Sequence, residues 1–281
     1  MKKEYRGLLE MLGATFIWGS TPIVGLLSHL PSPVFVFFRV LFAFPFVLFF
    51  ALKQANLKEL LLPKPFWAIF LSGVMLGLNW IFFFWALQIT DVAIVVIIYY
   101  MGPILSLFLA IFFLKEPFYW NIGVALVLAL IGVFISTHSS WHFDRGVIIA
   151  LLASISYGLL GFFSKLATRH HKSIVVTNYQ IFISIFLTLP FLFLQEWHFS
   201  LQTLFIVIIA GVVHTALALF LWYDALHYIS VSLAAILQYL DIFFTIALAF
   251  LILGQVPTLF EVIGACCIAL AGIIASLKSF N

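Results

Sequence analysis

Residues 34–53 read V-F-V-F-F-R-V-L-F-A-F-P-F-V-L-F-F-A-L-K, with a single charge, Arg39, before the closing lysine. A bilayer span needs roughly 17–25 mainly apolar residues, and this stretch meets that length. A charge at span depth costs roughly 3 kcal/mol or more, so it faces a bundle interior, a partner or a water-filled path. Working outward, the same pattern fills the chain. Hydrophobic residues make up 65% of the 281 positions and charged residues only 8%. A soluble domain of this size needs far more polar surface. The chain therefore reads as an all-α integral membrane protein, and a second intramembrane charge, Asp241, joins Arg39 as a candidate.

Breaks at proline, glycine and charge divide the sequence into ten transmembrane helices, at 7–28, 34–53, 66–88, 92–114, 119–137, 147–168, 174–194, 201–226, 231–253 and 258–277. The connections are short: His29 to Pro33, Thr90-Asp91, Lys115 to Pro117, and Gly254 to Pro257. Sequential helices are thus expected to pack as antiparallel neighbours in one bundle. With the N-terminus inside, the inner segments hold Lys2, Lys3, Arg6, Lys53, Lys58, Lys64, Lys115, Lys165, Arg169, Lys172 and Lys278, whereas the outer loops hold only Arg145. Cytoplasmic loops concentrate Lys and Arg, so both termini are expected in the cytoplasm of a multi-pass cell-membrane protein. Trp67, Trp120, Trp141, Trp197 and Trp222 near span ends fit interfacial belts. The basic start leads into an apolar span without a small-residue cleavage site, as a signal anchor does.

Several classes are disfavoured. No metal-ligand spacing and no Gly-rich phosphate loop occurs, so neither a metal nor a cofactor is expected. Cys266 and Cys267 are adjacent, and helix geometry points their side chains about 100° apart. The net charge of +3 belongs to span ends and does not indicate nucleic acid.

Sliding the chain against itself by 139 residues aligns Arg6-Gly7 with Arg145-Gly146, Gly19 with Gly158, Ala86-Leu87 with Ala225-Leu226, Val92 with Val231, and Tyr100 with Tyr239. Two units follow, 1–139 and 140–281, each with five helices. An odd number sends the second unit into the membrane from the opposite side. Inverted-topology repeats mark transporters, because the two halves can exchange inward- and outward-open states. Chance similarity among apolar helices is the competing explanation.

The chain resembles the EamA-type drug/metabolite transporters. The first helix carries Trp18-Gly19-Ser20, like that family's opening motif, and Phe38-Arg39-Val40-Leu41-Phe42-Ala43 is similar to its second-helix motif. Tyr99-Tyr100-Met101-Gly102-Pro103 with Lys115-Glu116-Pro117, and Gly254-Gln255-Val256-Pro257-Thr258 with Glu261-Val262-Ile263-Gly264-Ala265, resemble the fourth-helix and ninth-to-tenth-helix patterns. Leu240-Asp241 departs from the family by standing where its ninth helix usually has a proline, so that helix is expected to be straighter here. The resemblance implies a central substrate cavity lined by helices 1–4 and 6–9. It also implies ion-coupled export or exchange of small metabolites, often amino acids.

Helical periodicity supplies the cavity candidates. Thr15, Trp18 and Pro22 share a face of the first helix; Ser154, Tyr157 and Gly161 lie at the corresponding positions of the sixth. Tyr99, Pro103 and Ser106 form one stripe on the fourth helix, and Gln238, Asp241 and Thr245 form another at nearly equivalent positions on the ninth. Polar atoms in lipid need partners, so these faces should point inward together. Isolated hydroxyls read first as interhelical hydrogen bonds. Asn79 and His214, in the middle of the third and eighth helices, either bind substrate or pack against neighbours. Arg39 either anchors a carboxylate or clamps helix carbonyls. Pro22 and Pro103 are expected to kink or gate their helices. Asp241 is the candidate for carrying a coupling proton. The substrate-cavity set is therefore Trp18, Arg39, Asn79, Tyr99, Tyr157, His214, Gln238 and Asp241.

The function expected is secondary active transport of small metabolites, amino acids foremost and outward in direction, by a monomer or weak homodimer. A small-solute channel is the alternative. An intramembrane enzyme is the third, disfavoured because the eight histidines show no catalytic or metal-binding spacing.

Overall fold

In lipid a backbone amide finds no water, so each apolar run must satisfy its own N–H and C=O groups, and a helix does so within one segment. The structure, a computed structural model, describes residues 2–61, 63–90, 95, 98–137, 145–254 and 256–277. Asp91, Val92, Ser139, Trp141, Gln255 and Lys278 lie outside the described residues, and so does the junction between the two expected units. The described residues form helices and no strand. In order these are α1 (Lys2–Gly19), α2 (Thr21–Ser28), α3 (Ser32–Gln54), α4 (Leu57–Leu61), α5 (Phe66–Ile89), α6 (Gly102–Leu114), α7 (Trp120–Thr137) and α8 (Arg145–Thr168). Then come α9 (Ser173–Thr188), α10 (Phe191–Leu194), α11 (Leu201–Gly211), a π-helical turn (Val212–Leu217), α12 (Ala218–Ala225), α13 (Val231–Leu237), α14 (Leu240–Leu253) and α15 (Leu259–Leu277).

Among the described residues, seven helical stretches are long and apolar enough to cross a membrane: Lys3–Gly25, Pro33–Gln54, Phe66–Ala86, Arg145–Thr168, Ser173–Leu194, Leu201–Ala225 and Val231–Ile252. Three shorter apolar helices, Gly102–Leu114, Trp120–Ile135 and Leu259–Ala275, fall within the other stretches that hydropathy marks.

Five of the apolar stretches are interrupted, one of them, Ser173–Leu194, by a turn at Leu189 and Pro190 between α9 and α10. The first breaks at Ser20, between α1 and α2. The backbone turns at Tyr100 and Met101 before α6, and again at Gln238 and Tyr239 between α13 and α14. Between α11 and α12 the helix widens into the π turn. Two expectations need correction here. Pro22 and Pro103 do not kink continuous helices. Each is the second residue of a helical segment, where a missing N–H has no intrahelical acceptor to lose. Nor is the ninth span straight. The Tyr239 hydroxyl donates to the Tyr100 carbonyl at 2.5 Å. The Asp241 and Ile242 amides close tight three-residue bonds to Gln238 and Tyr239, both 3.2 Å. These contacts hold the break without a proline. Asp241 consequently stands in the first turn of α14 rather than mid-helix. The positive end of a helix dipole favours a carboxylate there.

Helices α5 and α8 pack along one another, α1 packs on α12 and α14, α6 on α8, α3 on α9 and α11, and α7 on α15. Small residues let backbones approach where lipid provides no hydrophobic drive. A Cβ on Gly19 would lie 2.6 Å from Phe244 Cβ, and one on Gly158 would lie 2.7 Å from Leu105 Cβ. At the same two crossings Thr245 donates to the Gly19 carbonyl and Ser106 to the Gly158 carbonyl, each at 2.8 Å. All three residue pairs (Gly19 and Gly158, Leu105 and Phe244, Ser106 and Thr245) are 139 positions apart.

Candidate functional site

The continuous helices α3, α5 and α8, with the broken first, fourth, eighth and ninth spans, surround a cavity of about 830 Å³. Small-molecule sites usually enclose roughly 300–1,000 Å³. Seven of the eight residues singled out by periodicity line it: Trp18, Arg39, Asn79, Tyr99, Tyr157, Gln238 and Asp241. The cavity extends to His29 and Leu30, in the loop after α2.

Arg39 is only 3% exposed. Its Nε donates to Thr215 Oγ1 at 2.8 Å and its Nη2 to the His214 carbonyl at 3.0 Å. Both acceptors belong to the π turn, where Thr215 Oγ1 in turn bonds the Ala210 carbonyl, five residues back. The indole of Trp18 donates to the same His214 carbonyl at 3.1 Å. A π turn therefore offers α1 and α3 a shared acceptor, while the guanidinium face lies over Trp80 at 4.8 Å. His214 itself is not on the lining. Its Nε2 meets the Ser20 hydroxyl at 2.8 Å, so the ring joins the eighth span to the break in the first.

Asn79 donates to the Ala153 carbonyl and accepts the Tyr99 hydroxyl, both at 3.2 Å. This bond orients the Tyr99 ring, which stacks on Tyr157 with centroids 4.8 Å apart and planes 13° apart. Asp241 accepts the Tyr100 hydroxyl at 2.5 Å and faces the Gln238 amide nitrogen at 3.4 Å. Among the described residues the ion pairs lie at Arg6, Glu10, Asp224 and His227, and none involves Asp241.

Periodicity missed Thr21, Trp80, Tyr100, Trp222 and Tyr223, all on the wall. Trp222 corrects an expectation outright. Its indole is 6% exposed and lines the cavity rather than an interfacial belt. Trp67 and Trp120, by contrast, are exposed at 50% and 82%. The 139-residue spacing held the missing signal. Trp18 and Tyr157, Thr21 and Leu160, Trp80 and Leu219, Phe83 and Trp222, Phe84 and Tyr223, and Tyr99 and Gln238 are each separated by that distance, and all twelve line the cavity.

One motif acts elsewhere. Glu116 accepts the backbone N–H groups of Val231 at 3.0 Å and Ser232 at 3.2 Å, so it caps the start of α13. The Lys165 ammonium closes the neighbouring loop by donating to the Leu226 and Ile229 carbonyls.

The family model for EamA-like transporters matches this sequence twice, over residues 5–137 and 144–277. The chain belongs to the EamA-like transporter family. It is 26% identical over 275 residues to the uncharacterized transporter YxxF of Bacillus subtilis (strain 168), spanning 94% of this chain and 87% of that one. It is also 26% identical over 240 residues to the S-adenosylmethionine uptake transporter of Rickettsia conorii, spanning 82% and 78%. One solved crystal structure shares the fold, with a TM-score of 0.84 at 16% identity over 98% of this chain and 97% of that one. The protein is thus a multi-pass membrane transporter, and its relatives are transporters rather than enzymes.

Proposed function

We propose that the chain is a secondary active transporter that moves small metabolites, amino acids foremost, out of the cell by alternating access. Its units, 1–139 and 140–281, are two inverted five-helix halves, giving ten spans with both termini cytoplasmic. The carrying observation is the cavity itself: six pairs of lining residues are separated by 139 positions and face one space. Duplicated halves that line a shared cavity are what exchange between inward- and outward-open states requires. Two further observations support the reading. Tyr100 and Tyr239, also 139 positions apart, touch each other with ring centroids at 5.4 Å. Residues related by a two-fold axis meet only beside that axis. The family model's two matches fall on the same division of the chain.

Substrate would enter between the Tyr99–Tyr157 stack and the Trp18–Trp222 pair, whose centroids are 6.4 Å apart. Asp241 carries the coupling proton, because it is a charged cavity residue without an ion-pair partner among the described residues. The test is counterflow in proteoliposomes loaded with unlabelled L-amino acids. A carrier transiently concentrates labelled solute above the outside level; a channel only equilibrates it. Since a relative is named for uptake, exchange should be followed from both sides. Topology is tested separately by cysteines at Ser139 and Lys172, which should label from opposite faces.

A further inference from the structure

The cavity holds two oppositely charged side chains, and the protein has used them differently. Two donors of Arg39 are committed to Thr215 and the His214 carbonyl, and its guanidinium is stacked on Trp80. Asp241 receives only neutral donors: the Tyr100 hydroxyl, the Ile242 backbone N–H, and the Gln238 amide nitrogen at a long 3.4 Å. Its side chain is partly exposed and lines the cavity, whereas Arg39 is buried. The more exposed charge of the wall is therefore negative. Gln238 sharpens this. Only its amide nitrogen can donate to a carboxylate, which turns its carbonyl oxygen away from Asp241. That oxygen is buried and has no hydrogen-bond partner among the described residues. A buried acceptor left unmatched by the protein is a place for a donor from elsewhere. Aromatic rings complete the pocket. Tyr99 and Tyr100 meet edge to face at 5.6 Å, and Trp18 lies against Trp222 with centroids 6.4 Å apart. Ring faces attract cations, most strongly where water is excluded.

We infer that this end of the cavity is a docking site for a primary ammonium group of the solute, held by the Asp241 carboxylate and the Gln238 carbonyl between aromatic faces. The assignment follows from the pairing of acceptors. A carboxylate alone would accept any cation, but the vacant amide oxygen calls for an N–H donor, which a quaternary ammonium lacks. It rests on reading this cavity as the transport site, and it states which group of the substrate orients the molecule. Arg39, buried and with one Nε and one Nη2 donor held by the π turn, then acts as a positioning residue for that turn rather than as the principal contact.

The test is calorimetric titration of the purified full chain with phenethylamine and with its neutral isostere phenethyl alcohol. The amine should bind at least about tenfold more tightly, a ratio readily resolved by titration. Asp241→Glu should keep the preference, and Asp241→Asn should bring the two ligands within about twofold of each other. Trimethylated phenethylamine should bind more weakly than the primary amine, and Gln238→Leu should erase that difference. Equal binding of amine and alcohol to the unaltered protein would overturn the inference with no variant needed. So would an amine preference that survives Asp241→Asn, or trimethylated ligand binding as tightly as the primary amine. Counterflow of L-phenylalanine separates the two levels. Uphill exchange without amine preference removes the ammonium site and leaves the transport reading. Amine preference lost in Asp241→Asn, with no counterflow of phenylalanine or phenethylamine, does the reverse.

Discussion

At the crossing of α1 with α14, Gly19 lies against Phe244 and its carbonyl accepts the Thr245 hydroxyl; at the crossing of α8 with α6, Gly158 meets Leu105 and Ser106 in the same way. The charged groups show no such likeness. Arg39 clamps a π turn, but the residue 139 positions on is Asn178, buried at 7% exposure with an amide oxygen lacking a partner among the described residues. The third-span positions matching that π turn, 73–78, remain ordinary α-helix. Asp241 corresponds to Gly102, which has no side chain and packs tightly against Tyr157. Close crossings demand small residues and hydroxyls at fixed places, so the packing is duplicated. Charge in lipid is costly and is kept where it acts. In this comparison the shared contacts are scaffold, and the unmatched ones give the cavity its polarity.

Substitutions can break the comparison. Asp241→Asn should have the largest effect: uphill accumulation and its pH dependence disappear, while Tyr100 still has an oxygen to bond and the protein melts near its usual temperature. Accumulation that persists with unchanged pH dependence would remove the coupling role. Arg39→Ala should come next. Hydrogen bonds from a charged donor contribute about 1.5–3 kcal/mol each, so losing two should destabilise by about 3 kcal/mol or more in detergent melting. Asn178→Ala should cost less than about 1 kcal/mol, since only one neutral group is removed. Gly19→Ala and Gly158→Ala should each cost about 1–3 kcal/mol, the usual penalty of overpacking. Their losses should agree, because each new methyl meets a Cβ at nearly the same distance. Smallest are Ser106→Ala and Thr245→Val, at about 0.6 kcal/mol apiece, the average for interhelical bonds in membranes. A large difference within either pair would show that the two crossings are not equivalent.

The helices and most of the cavity were legible in the sequence because lipid enforces both. Apolar length marks a helix, and a polar residue inside one marks the interior face. What could not be read has a common cause. Hydropathy reports the solvent around a residue and is blind to its backbone dihedrals. The break at Gln238–Tyr239 and the π turn at Val212–Leu217 therefore left no mark in the apolar runs containing them. Pro22 and Pro103 read as kinks in the sequence because the helical starts beside them leave no mark in hydropathy. Trp222 reads as an interfacial residue from its position near a span end, although its partner at the 139-residue spacing, Phe83, lines the same cavity. His214 lies on an inward-facing helix, yet its ring turns to Ser20 instead of the cavity.

The central claim is that one cavity opens to each face in turn. A single cysteine at Phe84, partly exposed on the cavity wall, in a chain carrying Cys266→Ser and Cys267→Ser, tests it directly. Labelling with a membrane-impermeant maleimide is followed in right-side-out and everted vesicles, with and without transported amino acid. Alternating access predicts that the cysteine reacts from both faces, and that adding solute on one side raises the rate from one face while lowering it from the other. Reaction from one face only, or rates that rise and fall together as in an open pore, would contradict the account.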